Sequence, residues 1–227
     1  MSVDKQDPAS YMDILKWTTL LSLGAQFVTW FLQFRGLSRA VRGTVLWGAL
    51  WLETVVQIIE SMFYSLFVSD HWRPETMMLL RYSDWFLTTP TMLVSLASFL
   101  YDRATAPLSS NTPLWKDFWF QHGKYLCIWV LPFNFLMLLF GLLARLHILD
   151  KGVAWSCSWI CMGLSFYFLW RRLGDYGNLV RYTFYVWSGY GLAEMLPVLW
   201  TNAVANGLDV VAKNMFGVIL SLHVLQS

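Results

Sequence analysis

The chain alternates long apolar stretches with short polar breaks, and the apolar stretches have membrane-crossing length. A spanning helix needs about 20 largely apolar residues. Seven segments qualify, approximately 11–34, 44–68, 76–100, 124–146, 151–172, 179–200 and 204–225. Their separators are short and polar. This pattern predicts an all-α membrane protein, one seven-helix bundle over residues 1–227 without a second domain. The longest linker, Tyr101 to Gly123, holds Pro107, Pro113 and the pair Ser109-Ser110, and reads as a surface loop. The polar start Met1–Ser10 runs into a full-length apolar segment. The first helix is therefore expected to serve as its own, uncleaved insertion signal.

Composition strengthens the membrane reading. Of the 227 residues 57% are hydrophobic and 13% charged, about half the roughly 25% charge of soluble domains. Fourteen tryptophans suit anchoring at two membrane interfaces. A net charge of +2 without a basic run argues against a nucleic-acid partner. Cys127, Cys157 and Cys161 all lie in apolar stretches and read as small hydrophobes, not as a disulfide framework or metal site.

Lys and Arg in short loops set orientation. The linkers after helices 1, 3 and 5 hold Arg35, Arg39, Arg42, Arg103, Lys116, Lys124, Arg171, Arg172 and Arg181; the others hold only Arg73, Arg145 and Lys151. The expectation is a multi-pass protein with its N-terminus outside and its C-terminus in the cytoplasm.

Charges at helix centres cost about 2.5–3.5 kcal/mol each on insertion scales, so each is a functional candidate. Glu53, Glu60, Asp84, Glu194, Asp209 and Lys213 fall within the predicted spans. For any single one the plainer reading is an interfacial residue with a misplaced boundary. That reading is poor for Lys213, which a dozen mostly apolar residues follow. Lys213 lies one turn after Asp209, so the two share a face. A buried lysine serves as a nucleophile toward an aldehyde or as half of an ion pair. A protonated imine needs a counterion. Asp209 supplies one, and a carboxylate on a neighbouring helix would tune it. Helix 3 offers that carboxylate in Arg81-Tyr82-Ser83-Asp84-Trp85-Phe86-Leu87-Thr88-Thr89-Pro90. Arg81, Asp84, Thr88 and Ser95 share a stripe, and an arginine one turn from Asp84 would keep it ionised. Taken alone, the stripe also admits a plainer reading as a structural polar network.

RYSDWFLTTP on the third span and LDVVAK on the seventh resemble the paired signatures of microbial (type 1) rhodopsins. The resemblance extends over nearly the whole chain and implies a retinal photoreceptor, not an enzyme. It makes Lys213 the attachment point of all-trans retinal, Asp84 and Asp209 the Schiff-base counterions, and Arg81 the arginine beneath them. Asn134, Met137 and Gly141 on helix 4 match pocket positions, as do Trp155, Ser158 and Met162 on helix 5. Trp187 and Tyr190 match the aromatic pair around the polyene, with Trp85 on the opposite wall and Thr88 and Thr89 nearby.

The departures from that pattern bear on subfamily. Ser95 stands where outward proton pumps carry a carboxylic proton donor, and a serine hydroxyl is no general acid at neutral pH. Gly191 replaces the helix 6 proline, and Glu194 the tryptophan three residues on. Asn134 replaces the acid paired with the Thr89 position. On helix 2, Glu53, Gln57, Glu60 and Tyr64 fall within about 60° of one another and cover roughly 16 Å of depth. Carboxylates along a helix suit a water-filled cation path, although isolated proton-relay acids are the alternative. Helix 7 adds Asn202 and Asn206 on the lysine face and Asn214 just past it.

This combination looks most like the first group of viral rhodopsins, light-gated cation channels. What it implies is a channel for monovalent cations and protons along Glu53, Glu60 and Asn214. Glu60 would gate near the Schiff base, with Glu53 at about the depth of Ser95. An outward proton pump using Glu53 as donor is the alternative, and a sensory rhodopsin a third reading. The family forms dimers, trimers and pentamers, so a homo-oligomer is an open expectation.

Overall fold

The computed structural model describes residues 8–69, 73–105 and 112–226, and in it the chain forms seven helical rods. They are α1 Pro8–Arg39, α2 Val45–Ser69, α3 Pro74–Thr105, α4 115–145, α5 Lys151–Leu173, α6 Leu179–Ala193 and α7 Val198–Gln226. Residues 1–7 of the polar start, and Pro107, Ser109 and Ser110 of the expected loop, lie outside the described residues. Sequential rods pack side by side, and α7 returns against α1 to close the ring. One face of the bundle carries the start of α1, the other the end of α7.

Local chemistry explains the rod ends. The Asp150 carboxylate accepts from the Gly152 and Val153 N–H groups at 2.9 and 3.0 Å, capping α5. Gly174 ends that helix at φ 76°, a conformation costly for residues with a Cβ. The tip between α1 and α2 is tied to the start of α4 by two backbone bonds, Val45 N–H to Pro113 and Trp115 N–H to Gly43.

Two boundaries differ from the sequence expectation. α3 runs on to Thr105 and α4 begins at Trp115, so together they make most of the stretch expected to be loop helical. The reason is the run Trp115, Phe118, Trp119 and His122, whose rings stack on one another and on Tyr101 of α3. α6 stops at Ala193, and Pro197 caps α7, so the break falls at 194–197 and not at 201–203. A proline suits the first turn of a helix and disfavours helical backbone in the residue before it. Glu194 therefore caps the end of α6 instead of lying mid-span.

Four rods are long and apolar enough to cross a membrane on those grounds alone: α2, the Leu126–Arg145 part of α4, α5 and α7. The other three carry their polarity inward or are short. α1 buries Thr19, Ser22, Gln26, Thr29 and Gln33, and exposes Trp17, Leu21, Val28, Phe31 and Phe34. α3 buries Arg81 and Asp84. α6 has 15 residues, about 22 Å of rise. An apolar exterior around a polar centre is stable only where the surroundings are lipid.

Candidate functional site

α7 is not regular through its middle. Residues Val210–Asn214 form a π turn, and such widened turns concentrate at functional positions. Lys213 stands on it, only 2% exposed. Three carboxylates converge on its amine from three rods. Nζ lies 2.5 Å from Glu60 Oε1 of α2, 3.1 Å from Asp84 Oδ2 of α3, and 3.3 Å from Asp209 Oδ1 of α7 itself. Burying these charges apart would cost several kcal/mol per ion, so their convergence is what makes the site tenable. Asp84 and Asp209 were expected here. Glu60 is closer to the amine than either, so it belongs to the charge cluster itself.

Arg81 does not pair with Asp84 as its one-turn spacing suggests. Its guanidinium reaches across to α7, where Nη1 meets Asp209 Oδ2 at 3.0 Å. Nε donates to Asn202 Oδ1 at 3.0 Å, and Nη2 donates to Asn206 Oδ1. The rings of Tyr64 and Phe67 lie 5.4 and 5.1 Å from it. Two amides, a carboxylate and two aromatic faces outcompete a single carboxylate on the same helix. Asn202 and Asn206 thus hold Arg81. Asp209 is further bound by the Tyr64 and Tyr190 hydroxyls, which donate at 2.6 and 2.7 Å. Tyr64, expected only as part of the α2 stripe, is a direct partner of this carboxylate.

From Lys213 a cavity of about 730 Å³ opens between α3, α4, α5 and α6. Trp85 and Thr89 line it from α3, Met137 and Gly141 from α4, and Trp187 and Tyr190 from α6. Trp155, Ser158 and Met162 complete the α5 wall. The Trp85 and Tyr190 rings meet edge to face at 5.4 Å. Trp155 Nε1 donates to the Gly191 carbonyl and the Ser158 hydroxyl to the Met137 carbonyl, each at 2.9 Å, which fixes both against the wall. Thr88 and Asn134, expected at the pocket, sit behind its surface. The Thr88 hydroxyl folds back to the Asp84 carbonyl at 3.0 Å, and Asn134 Nδ2 donates to Thr89 Oγ1 at 2.9 Å.

The seven-rod bundle has structural counterparts among known proteins. The family described as bacteriorhodopsin-like protein matches residues 11–227. The chain belongs to the bacteriorhodopsin-like family. Among curated proteins none matches it in sequence. The solved viral rhodopsin OLPVRII superposes with TM-score 0.78 at 24% identity, over 93% of this chain and 98% of that one. Halorhodopsin from Halobacterium salinarum, in a bromide-bound form, gives TM-score 0.73 at 14% identity, covering 96% of each chain. A light-driven proton pump from Leptosphaeria maculans gives 0.71 at 16%, over 95% and 97%. At these identities the likeness concerns the fold.

Membership in this rhodopsin family implies a retinal chromophore, and the residues present fit one. The amine can condense with an aldehyde, the adjoining walls are aromatic and thioether, and the volume lies within the range of ligand pockets.

Beside the charge cluster runs a second set of buried polar groups. Glu53, Gln57 and Glu60 on α2 are 0% exposed, Ser95 on α3 is 0%, and Asn214 on α7 is 3%. The amides of Gln57 and Asn214 have no hydrogen-bond partner among the described residues, and the Glu53 oxygens make no well-formed hydrogen bond there although Ser95 stands within reach. Ser95 adjoins Glu53, and its hydroxyl donates to the Ala49 carbonyl at 3.1 Å. α1 contributes two residues that sequence reasoning missed, Gln26 and Gln33, also buried with unpartnered amides. Their signal was available in the 3-4-3-4 spacing of Thr19, Ser22, Gln26, Thr29 and Gln33.

Glu194 lies apart from this set. It pairs with Arg145 at 2.5 Å and accepts from the Tyr82 hydroxyl at 3.4 Å, at the α1-start face of the bundle.

Proposed function

We propose that the protein is a light-gated cation channel, with all-trans retinal on Lys213 as its light sensor, its N-terminus outside and its C-terminus in the cytoplasm. One observation carries the reading: buried, unpartnered polar groups run along α1, α2 and α7 beside the charge cluster. Buried amides and carboxylates in native proteins are satisfied by protein or by ordered water. Gln26, Gln33, Gln57 and Asn214 have no protein partner among the described residues, so water is the remaining one, and a hydrated file that passes Glu53 and Glu60 suits monovalent cations and protons.

Retinal supplies light absorption and a change of shape. Asp84 and Asp209 hold the positive charge at the Lys213 nitrogen, and Arg81 keeps Asp209 in place. Glu60 reaches that nitrogen from α2, so it couples the light sensor to the helix that lines the path. A shift in the cluster's charge releases Glu60 and lets α2 part from α3 and α7. Glu53, Ser95 and Asn214 then line the route toward the cytoplasm.

An outward proton pump is the second reading, because Glu53 stands buried beside Ser95, where it can replace the missing donor acid. The fold does not choose between them, since its neighbours include a proton pump and a halide-bound protein. Voltage-clamp recording on cells bearing the pigment does. A channel's photocurrent reverses sign near an ionic equilibrium potential, and Glu53→Gln and Glu60→Gln alter its size and selectivity. A photocurrent that stays outward across the physiological range overturns the channel and favours the pump.

A further inference from the structure

We propose that Tyr182 of α6 is a positioning residue for Lys213: its hydroxyl holds open the widened turn of α7 on which the lysine stands. The inference rests on the retinal reading of Lys213. Within the turn Val210–Asn214 the backbone bonds are displaced by one residue, and the Met215 N–H donates to the Val210 carbonyl, five residues back. In a regular helix that N–H would serve Val211, four residues back. The Val211 carbonyl thereby loses its helical donor. The Tyr182 hydroxyl takes that place from the neighbouring rod, donating to it at 3.0 Å. Met215 Sδ lies 3.2 Å from the same hydroxyl. One hydroxyl carries one proton, and a carbonyl oxygen is a better acceptor than a thioether.

The surroundings give this bond its weight. Val211 is 39% and Met215 46% exposed, on a rod apolar and long enough to cross a membrane. Lipid offers no hydrogen-bond donor, so a carbonyl released there stays unsatisfied at a cost in free energy. Tightening the turn to α geometry would remove that cost by giving Met215 N–H back to Val211.

Val211 lies midway between Asp209 and Lys213, which turns a backbone bond into an effect on the site. A π turn holds about one residue more than an α turn. Tightening it therefore rotates one side of the turn against the other by about 100°, the angle of one residue. Asp209 resists that rotation, because Arg81, Tyr64 and Tyr190 bind it from α3, α2 and α6. The change falls on Lys213, whose nitrogen would leave carboxylates now at 2.5, 3.1 and 3.3 Å. Tyr182 thus acts through the Val211 backbone and not by contact with the amine.

The test compares purified pigments of the native chain, Tyr182→Phe and Tyr182→para-aminophenylalanine, which keeps an N–H donor at the same ring position. The readouts are the visible band maximum and the rate of bleaching by hydroxylamine in the dark. In Tyr182→Phe the band should move to longer wavelength, because carboxylates farther from the nitrogen stabilise its ground-state charge less. Bleaching should be about fivefold faster, the worth of one net hydrogen bond. The para-amino variant should restore both, and its forming pigment where Tyr182→Phe forms none supports the inference equally. Met215→Leu removes the thioether and leaves the carbonyl bond, so it should change neither; a change there like that of Tyr182→Phe makes the thioether the partner and overturns the inference. A lower thermal midpoint in Tyr182→Phe with band and bleaching rate unmoved marks a purely structural residue, and also overturns it. So does a para-amino variant that behaves as Tyr182→Phe does, failure to form pigment included. Absence of pigment from the native chain with retinal overturns the retinal reading itself, and the inference with it.

Discussion

Replacing Arg81 by Gln tests the idea that the charge cluster holds together as a unit. The guanidinium is 1% exposed and supplies the 3.0 Å ion pair to Asp209, bonds to Asn202, Asn206 and Tyr64, and contacts with two aromatic faces. Without it, Lys213 is left as the one cation among three buried carboxylates. Removing one partner of a buried pair costs about 3–5 kcal/mol, because the remaining charge is uncompensated. For a chain of this size 1 kcal/mol moves a thermal midpoint by about 2–4 °C, so Arg81→Gln should lower it by roughly 6 °C or more. The assay is thermal loss of the visible absorption band in purified pigment, scanned at one fixed rate. The double variant Arg81→Gln/Asp209→Asn removes both charges of the pair and should recover part of the loss, as coupled neighbours do. Exposed Arg171, bonded to the Tyr167 hydroxyl at 2.8 Å, is the control, and Arg171→Gln should leave the midpoint unchanged. A midpoint for Arg81→Gln within a degree or two of native refutes the reasoning, as does a double variant no better than the single one.

Three further outcomes follow from particular contacts. Lys213→Ala should abolish the visible band on reconstitution with retinal, and a band that survives would place the chromophore elsewhere. Gly141→Ala would set a methyl group 2.5 Å from the Tyr82 hydroxyl; overpacking of that kind costs about 1–3 kcal/mol, read as a lower bleaching midpoint with a disturbed Tyr82–Glu194 contact. His122 precedes the apolar span of α4, and burial, with Arg172 beside it, pushes its imidazole down to about 4. The unfolded chain then takes up a proton near pH 6.5 that the folded chain does not. Stability should therefore fall as pH drops from about 6.5 to 4, by about 1 kcal/mol after solvent screening. His122→Gln should flatten that part of the bleaching-midpoint profile relative to native.

Much of the site was legible because its residues break the pattern around them. Lys213, Asp209, Asp84, Glu53 and Glu60 are charges in apolar runs, and their spacing names the faces they share. What could not be read is partner choice across helices. Arg81 is one turn from Asp84 in sequence, yet it binds Asp209, because Tyr64, Asn202 and Asn206 meet around that carboxylate only once α2, α3 and α7 are packed. The π turn at Val210–Asn214 leaves no mark in composition either. The α6–α7 break was legible and missed. Apolar residues flank 194–197 on both sides and hide the boundary, while Pro197 marks it.

Glu60 also changes what a light-driven event at Lys213 can do. Two carboxylates, Asp84 on α3 and Asp209 on α7, would confine the response to the helices that already hold the amine. A third at 2.5 Å from α2 ties that helix to the same nitrogen. One turn and two turns below Glu60 on α2 come Gln57, whose amide has no partner among the described residues, and Glu53. Any loss of charge at the nitrogen weakens all three contacts, but only the Glu60 contact tethers α2 directly to it. On the proposed channel reading, movement of α2 is thereby linked to the charge of the Lys213 nitrogen, and α2 forms one wall of the polar file. If Glu60→Gln keeps its pigment yet its photocurrent opens and closes with unchanged kinetics, this link is absent and the file is gated from elsewhere.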